Sequence, residues 1–512
     1  MYYGLILKNL TQKSLIIINQ LLKTKKMNKI LLFLILFSTT TFAQTQMGQL
    51  LIGTSNGDQF GKSVTMSSDG NIVAIGAPNS GTGGNYSGRV SVYQFDGTNW
   101  NQFGITIEAE SPQDHSGYSI DLSDDGSILV IGAPDNDGNG TNSGSVRIYE
   151  YAEGNWLQIG QDIDGESIND YFGSSVTLSA NGQIVAIGAD RNNGPGSDSG
   201  HVRVYQYVSE TWVQIGQTID GEAPSDYSGG SVSLSSDGNR LAIGAQYNDG
   251  FAFNAGHTRV FEFSGTSWLQ IGADIDGEAA NDNSGNAVSL SGNGNVIAIG
   301  AVKNSVNGDD SGHARIYQYN GSAWIQLGAD IDGDEDDRLG FSVSLSDDGN
   351  IIAVGAPHTS PGGGGKTFLF QFNGSDWVQV GADLVATSSI DKLGTSVKLS
   401  SDGNKLVVGS SQYSAKGSAQ IIDFSSVLSL HEYTFSSIKF YPNPVSNYLT
   451  IENPSSGNIQ LQVINQLGQI VLKQNKNTSL TSIDVSNLSK GLYFLNIHSE
   501  TGEKQTIKFI KN

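Results

Sequence analysis

Aspartates recur along this chain at a regular spacing, and their carboxylates could either bind a cation or shape turns. In each of seven places an aspartate stands three residues before a glycine. Such repetition favours a structural role, in which each carboxylate accepts hydrogen bonds from its own turn. The alternative is a ring of carboxylates that holds a cation at a channel mouth. The seven are Asp58, Asp114, Asp170, Asp226, Asp282, Asp337 and Asp391.

Three histidines, His201, His257 and His313, also share one position of a repeating pattern. Three imidazoles can ligate a zinc ion. Each histidine stands in a different copy of the pattern, however, so we expect the three to lie apart and to have a structural role. The chain has no cysteine, which excludes disulfides and thiolate chemistry. No Ser-His-Asp set or paired-carboxylate motif is recognisable in the local sequence.

Two variable polar loops hold the remaining candidates for binding. Asp135 and Asp137 belong to an Asp-Asn-Asp-Gly-Asn-Gly string, which resembles part of a calcium loop but has an incomplete ligand set. Tyr247, Phe251 and Phe253 place three aromatic rings in a polar loop. These rings could stack on a sugar or grip a peptide, and the alternative is local packing beneath the loop.

The elements that position these residues form an internal repeat. The six tryptophans are spaced 56, 56, 56, 56 and 53 residues apart, which gives a unit of roughly 55 residues. Alternating or apolar runs separated by turns predict four antiparallel strands in each unit. Seven such units predict an all-β chain with a seven-bladed β-propeller, followed by a small C-terminal β-sandwich. The tryptophans are Trp100, Trp156, Trp212, Trp268, Trp324 and Trp377.

The two ends of the repeat predict a closed ring. Residues 46–51 match a fourth strand that has no first three strands before it. Residues 417–424 match a third strand that has no tryptophan-containing fourth strand after it. We therefore expect the N-terminal segment to complete the last blade, which removes exposed sheet edges.

The repeat resembles the FG-GAP repeat of integrin-α-type propellers. Phe60-Gly61 followed by Ala74 to Pro78 carries the resemblance, as do Phe172-Gly173 and Ile187 to Ala189. It covers roughly residues 46–425. Calcium-binding members have an aspartate-rich loop between the first two strands, whereas here Ser67 to Asn71 and its equivalents offer too few carboxylates. The family's usual calcium site is therefore not expected.

The C-terminal residues resemble another family. Tyr441-Pro442-Asn443-Pro444 opens this region, Gly491-Leu492-Tyr493 begins a later strand, and the last strand is basic. Together these motifs resemble the type A C-terminal sorting domain of the type IX secretion system. The resemblance implies that the type IX machinery is a partner and that the protein is secreted or placed on the outer cell surface. It also implies outer-membrane surface attachment after the sorting domain is removed.

The N-terminus has the pattern of an export signal. Met27-Asn28-Lys29 is basic, residues 30–37 are apolar, and Ala43 offers a cleavage site. We expect the true start at Met27 and cleavage after Ala43. The expected organisation is a leader over 1–43, the propeller over 44–425, a linker over 426–436 and the sorting domain over 437–512.

The net charge is −22, and residues 1–43 carry six lysines and no acid, so the propeller region is strongly acidic. A polyanion repels phosphate groups, so we expect no nucleic-acid partner. Three functions stay open. We favour a non-enzymatic binding or adhesion protein whose loop face binds a protein or glycan. We expect no cofactor, with bound calcium as the alternative. The alternatives are a polysaccharide-acting enzyme, for which residues 335–338 form the one charged cluster, and a passive structural surface protein.

Overall fold

The structure is a computed structural model that describes residues 44–81, 84–358, 363–428, 439–452, 459–465, 469–476, 480–499 and 504–512. The expected leader over 1–43 and most of the expected linker lie outside these residues. Seven antiparallel sheets are arranged as blades, and two further sheets follow near the C-terminus. The all-β fold predicted from the repeat is confirmed. In the described residues, no helix is both long and apolar enough to cross a membrane.

Each blade has four strands and a short fifth segment that also pairs with the third strand. In order, the strands of blade 1 are Ser63–Met66, Ile72–Gly76, Arg89–Phe95, Trp100–Gln102 and Ile107–Glu108; of blade 2, Ser119–Leu122, Ile128–Ala133, Ser145–Ala152, Asn155–Gln158 and Ile163–Asp164; of blade 3, Ser175–Leu178, Ile184–Ala189, His201–Val208, Thr211–Gln214 and Ile219–Asp220; of blade 4, Ser231–Leu234, Arg240–Ala245, His257–Phe263, Trp268–Gln270 and Ile275–Asp276. Those of blade 5 are Ser284–Leu290, Val296–Ala301, His313–Tyr319, Trp324–Gln326 and Ile331–Asp332; of blade 6, Ser342–Leu345, Ile351–Ala356, Lys366–Phe372, Trp377–Gln379 and Leu384–Val385; of blade 7, Leu393–Leu399, Lys405–Ser410, Ser418–Asp423, Thr45–Gln46 and Leu51–Ile52.

The first strands of the blades surround a common axis. Each first strand packs against the first strands of both neighbouring blades, and that of blade 7 packs against that of blade 1. At one end of the axis, seven backbone N–H groups donate to carbonyl oxygens of the next blade at 2.8–2.9 Å, and the series returns to its start. This closed ring of hydrogen bonds runs through Ser68, Asp124, Ala180, Ser236, Gly292, Asp347 and Ser401.

The N-terminal segment completes blade 7, as expected. Thr45 pairs with Asp423, and Leu51 pairs with Ala419 on the third strand of that blade. Leu51 is also buried in the core between blades 7 and 1. The strand from the start of the propeller therefore joins its two ends.

The tryptophan of each of blades 1–6 reaches back to the blade before it. Its indole N–H donates to a backbone carbonyl near the end of the preceding blade's fourth strand, as Trp212 does to Ile159 at 3.1 Å and Trp268 to Ile215 at 3.2 Å. Trp100 does the same to Met47 at 2.8 Å across the closure between blades 7 and 1. The apolar clusters likewise combine residues of adjacent blades. The repeat of tryptophan thus follows from the packing of blade on blade.

The paired glycines of the repeat allow the inner strands to approach closely. A Cβ atom on Gly188 would lie 2.0 Å from the carbonyl oxygen of Gly229 in the next blade. Gly229 itself has φ +93°, a conformation that side chains rarely adopt. The Phe-Gly and Gly-Ala motifs therefore meet at the contact between neighbouring blades.

The C-terminal region forms two small sheets. One has three strands, Lys439–Tyr441, Tyr448–Glu452 and Leu480–Asp484, and the other has four, Ile459–Asn465, Ile470–Lys476, Gly491–Ser499 and Lys504–Lys511. Both contribute to one apolar core, in which Leu449 and Ile451 meet Val463 and Leu495. The predicted β-sandwich is thereby confirmed. A short helix, Ser425–Leu428, and a 3-10 turn, Tyr413–Ala415, complete the regular elements of the described chain.

Candidate functional site

The loops between second and third strands lie on the same face as the connections between blades. His115 N–H in one such connection donates to Tyr86 O in the preceding loop at 3.2 Å. Tyr171 and Tyr227 donate in the same way to Asn142 and Asp198, both at 3.1 Å. This face surrounds the end of the axis opposite the closed hydrogen-bond ring, and we call its central part the mouth.

The mouth is bordered by one residue from each blade that has a left-handed backbone and a side chain. At this position, two residues before the repeated glycine, φ lies between 51° and 55°. A side chain in this region is strained by about 1 kcal/mol or more, and glycine would relieve the strain. The side chains differ from blade to blade although the backbone does not. They are Gln59, His115, Tyr171, Tyr227, Asn283, Arg338 and Lys392.

The varying residues at the centre of the mouth lie on blades 2 and 3. The charges of Asp190 and Arg191 act on Tyr118, which is 41% exposed. Burial raises the pKa of Asp190 to about 6, against a smaller opposing effect of the neighbouring Arg191. Such a carboxyl can change protonation near neutral pH.

Aromatic and charged side chains are paired around this centre. The Arg191 guanidinium lies 4.6 Å from the Tyr171 ring centre, and the Lys62 ammonium lies 5.3 Å from that of Tyr118. On the other side of the mouth, Arg338 Nη2 lies 2.8 Å from Asp310 Oδ2. The mouth therefore combines ring faces with both signs of charge.

The aromatic residues predicted as ligand contacts occupy this face in two settings. Tyr247 packs edge-on against Tyr227, with ring centres 5.1 Å apart. Phe251 and Phe253 stand further out on the same loop and are 59% and 63% exposed. Their role in binding stays a prediction. Sequence reasoning missed Tyr118, Asp190 and Arg191, although comparison of equivalent positions across the seven units would have shown that they vary against a constant frame.

The two aspartates predicted as a calcium site have separate partners. Asp135 Oδ2 lies 2.6 Å from His115 Nδ1. Asp137 Oδ1 accepts a hydrogen bond from the Asn142 backbone N–H at 2.8 Å. Neither belongs to a group of three or more metal-ligating side chains found among the described residues. Calcium binding by this pair stays a prediction that the geometry does not strengthen.

The seven repeated aspartates are buried beneath the connections between blades. Asp114 Oδ2 accepts from Ser111 N–H at 2.9 Å, and Asp170 Oδ2 accepts from Ser167 N–H at 2.8 Å. Asp226 and Asp282 accept from the corresponding backbone groups of their own turns. These bonds are those expected of a turn-forming residue. The seven are each 1–2% exposed.

A second concavity, of about 90 Å³, lies on the axis near the closed hydrogen-bond ring. Asp121 on its wall accepts from Thr65 Oγ1 at 3.0 Å and faces Lys398 Nζ at 3.3 Å. Because this carboxylate is buried and already paired, the concavity offers a weaker site than the mouth.

The three histidines lie on different blades, as expected from their spacing. Burial lowers the pKa of His201 and His313 to about 3 and that of His257 to about 4, so all three imidazoles are neutral at pH 7. The sequence analysis considered the three histidines only as ligands of one shared metal ion. This comparison missed that His257 and His313 each lie near two carboxylates. The available signal was a spacing that occurs twice, with a glutamate 35 residues before the histidine and an aspartate 17 residues after it.

The sorting-motif residues occupy the C-terminal sandwich. Tyr441, Pro442, Asn443 and Pro444 are exposed, and Asn443 Oδ1 accepts from Ile510 N–H at 2.9 Å. Leu492 is half-buried and Gly491 is exposed. Tyr493 is buried, with its ring centre 5.7 Å from that of Phe509, and its hydroxyl donates to Ser489 O at 3.0 Å. The opening motif is thus held to the basic last strand.

Comparisons with known proteins find matches to two parts of the chain. Residues 439–512 match the secretion system C-terminal sorting domain, and residues 105–149 match the FG-GAP repeat. No curated protein matches the chain significantly. Among solved structures, a "putative 6-phosphogluconolactonase" of Bacteroides uniformis matches at 9% identity with a TM-score of 0.46, covering 64% of this chain and 87% of that one.

The sorting domain shows export through the type IX secretion system, and hence interaction with its machinery and a destination at the cell surface or outside the cell. The matched FG-GAP repeat spans the last segment of blade 1 and most of blade 2. The chain is therefore an exported β-propeller protein that contains an FG-GAP repeat and a type IX C-terminal sorting domain.

Proposed function

We propose that this protein is an extracellular binding protein whose mouth binds a glycan. The observation that carries the proposal is the set of seven left-handed residues around the mouth. Glycine would fit each position without strain, yet every blade has a side chain there, and this side chain is aromatic or long and polar in all blades except blade 5, where the short Asn283 is buried. A strained backbone position that recurs in every blade while the side chain on it varies is typical of a functional surface on a rigid scaffold.

The chemistry of the mouth favours a glycan over a protein ligand. Tyr118, Tyr171 and Tyr227 present aromatic rings beside Asp190 and Arg191. Ring faces pack on the C–H faces of sugars, while the charged groups hydrogen-bond to hydroxyls or to uronate carboxylates. A protein ligand is the other outcome of the test below.

The test is binding of the purified chain to arrays of neutral and uronate-containing polysaccharides and of extracellular proteins. We expect retention on at least one glycan, and a loss of at least tenfold in affinity in a Tyr118→Ala, Tyr171→Ala double variant. Leu269→Ala changes an exposed residue on an outer strand and serves as the control. Binding that survives the double variant unchanged would place the site elsewhere.

A second candidate function is cleavage of a polysaccharide, either by hydrolysis or by elimination. Asp190 supports it, because a carboxyl whose pKa is raised to about 6 can serve as a general acid or base. Turnover of a polysaccharide panel that is lost in Asp190→Asn would support the enzyme. Binding of a polysaccharide without its turnover would support a binding protein and not an enzyme.

We further propose that the protein stays attached to the outer-membrane surface after the sorting domain is removed. The support is the sorting domain over residues 439–512. Mass spectrometry of the protein recovered from washed cells and from medium would locate it and its new C-terminus. A passive structural component would be recovered from the surface yet bind no ligand on the arrays.

A further inference from the structure

Two crevices between neighbouring blades bring a buried histidine close to two carboxylates. In the first, His257 Nδ1 lies 4.0 Å from Glu222 Oε2 and 3.7 Å from Asp274 Oδ2. Glu222 comes from the connection between blades 3 and 4, whereas His257 and Asp274 belong to blade 4. The group therefore spans the junction between the two blades.

The next junction repeats the arrangement. His313 Nδ1 lies 4.0 Å from Glu278 Oε2 and 3.8 Å from Asp330 Oδ2. The His313 side chain is 0% exposed, and neither of its ring nitrogens has a hydrogen-bond partner within the described part of the chain. A fully buried imidazole nitrogen without a partner is unfavourable unless something else occupies the space before it.

We propose that each crevice binds a divalent metal ion of the zinc type through one histidine and two carboxylates. The separations of 3.7–4.0 Å are too long for hydrogen bonds. The ligand atoms of a tetrahedral zinc ion lie roughly 3.3 Å apart at bond lengths of about 2.0–2.1 Å, so the three groups would close inward by a few tenths of an ångström when the ion binds. Both carboxylates are accessible from outside, at 46% and 32% in the first crevice, which leaves a coordination position open to water or to a ligand.

The carboxylate oxygens that do not face the histidines already have hydrogen-bond or ion-pair partners. Asp274 Oδ1 accepts from Gln270 Nε2 and Asp330 Oδ1 accepts from Gln326 Nε2, both at 2.6 Å. Arg259 Nη1 lies 3.4 Å from Glu222 Oε1, so the guanidinium is placed on the oxygen that faces away from the histidine. Partners of this kind orient metal ligands from behind.

The local charge also favours a cation, despite the nearby arginine. Two further carboxylates, Asp226 and Asp276, act electrostatically on Glu222 together with Asp274. The negative charges around the crevice therefore outnumber the positive one. This distinguishes the site from an ordinary arginine–carboxylate pair.

The junction between blades 2 and 3 offers a natural control. His201 is equally buried there, but Thr218 replaces the aspartate. The corresponding glutamate, Glu166, lies 2.5 Å from Arg203 through Oε2. One ligand is missing and another is engaged, so we expect no metal at this junction.

The test is zinc titration of the metal-free, full chain by calorimetry, without a polyhistidine tag, and with a thermal melt alongside. We expect two zinc ions per chain and a raised melting temperature. His257→Gln and His313→Gln should each remove one ion, and the double variant both, whereas His201→Gln should leave two. Thr218→Asp should add a third, weaker site.

The variants Asp274→Asn and Asp330→Asn keep the buried histidines in place and guard against misfolding. They should lower zinc affinity at least tenfold with an unchanged circular dichroism spectrum. A wild-type chain that binds no zinc overturns the proposal, as does a stoichiometry that is unchanged in the double histidine variant. Glycan binding at the mouth is a separate measurement, so neither result decides the other.

Discussion

At the scale of the residue, the left-handed side chains around the mouth are the feature that most needs a functional reason. Tyr227 has φ 54°, and its ring packs against Tyr247. Tyr227→Gly and Tyr227→Ala both remove the ring, but only glycine relieves the backbone. We expect the glycine variant to be more stable than the alanine variant by roughly 0.5–1 kcal/mol in chemical denaturation. Equal stability would show that the position is unstrained.

The carboxyl of Asp190 predicts a pH dependence of stability. Its pKa is raised to about 6 by burial, whereas in the unfolded chain an aspartate ionises near pH 4. Between these values the unfolded chain loses the proton first, so stability falls as the pH rises and the loss is complete above about pH 6. Asp190→Asn removes this penalty and should gain up to about 3 kcal/mol at pH 7 and little at pH 4.

The measurement for Asp190 is urea unfolding of the wild type and the variant at several values between pH 4 and pH 8. Glu210→Gln, an exposed carboxylate of the same blade, is the control. A gain for Asp190→Asn that is the same at pH 4 and pH 7 would contradict the account.

At the scale of the element, the tryptophans hold each of blades 1–6 to the blade before it. Trp268 is 2% exposed and donates to Ile215 O. Trp268→Phe loses this bond and part of the packing, so we expect a loss of about 1–3 kcal/mol in the free energy of unfolding. Leu269→Ala, at the adjacent residue that is 57% exposed, should change it by less than about 0.5 kcal/mol. Similar effects of the two substitutions in thermal and urea unfolding would refute this role.

The elements were largely predictable from the sequence because their causes are local. Strand alternation, Asn-Gly and Asp-Gly turns and the tryptophan spacing each lie within one unit, and together they predicted both the blades and the closure through residues 46–51. The mouth was harder to predict. Tyr118 and Asp190 come from different blades, and no local pattern relates them. The Glu222–His257–Asp274 group likewise forms only when two blades pack together.

At the scale of the whole molecule, the propeller depends on the segment that joins its ends. Residues 44–52 supply Met47 and Leu51 to the core between blades 7 and 1, and Met47 O accepts the Trp100 indole N–H. Without this segment the third strand of blade 7 becomes an exposed edge. We expect its deletion to cost about 3 kcal/mol or more and to cause self-association.

Thermal unfolding and gel filtration of the truncated chain would measure both effects. A synthetic peptide of residues 44–54, added in excess, should restore the melting temperature and the monomeric elution because it can occupy the vacant edge. A truncated chain that is as stable and as monomeric as the full one would contradict closure by this segment.

The central claim is that the exported propeller binds its ligand at the mouth. The most direct measurement is hydrogen–deuterium exchange of the full chain with and without a polysaccharide retained on the array. We predict protection of the loops and connections around Tyr118, Tyr171 and Asp190, with no change in the hairpin turns at the opposite end of the axis. Protection confined to those turns or to the outer strands would contradict the account.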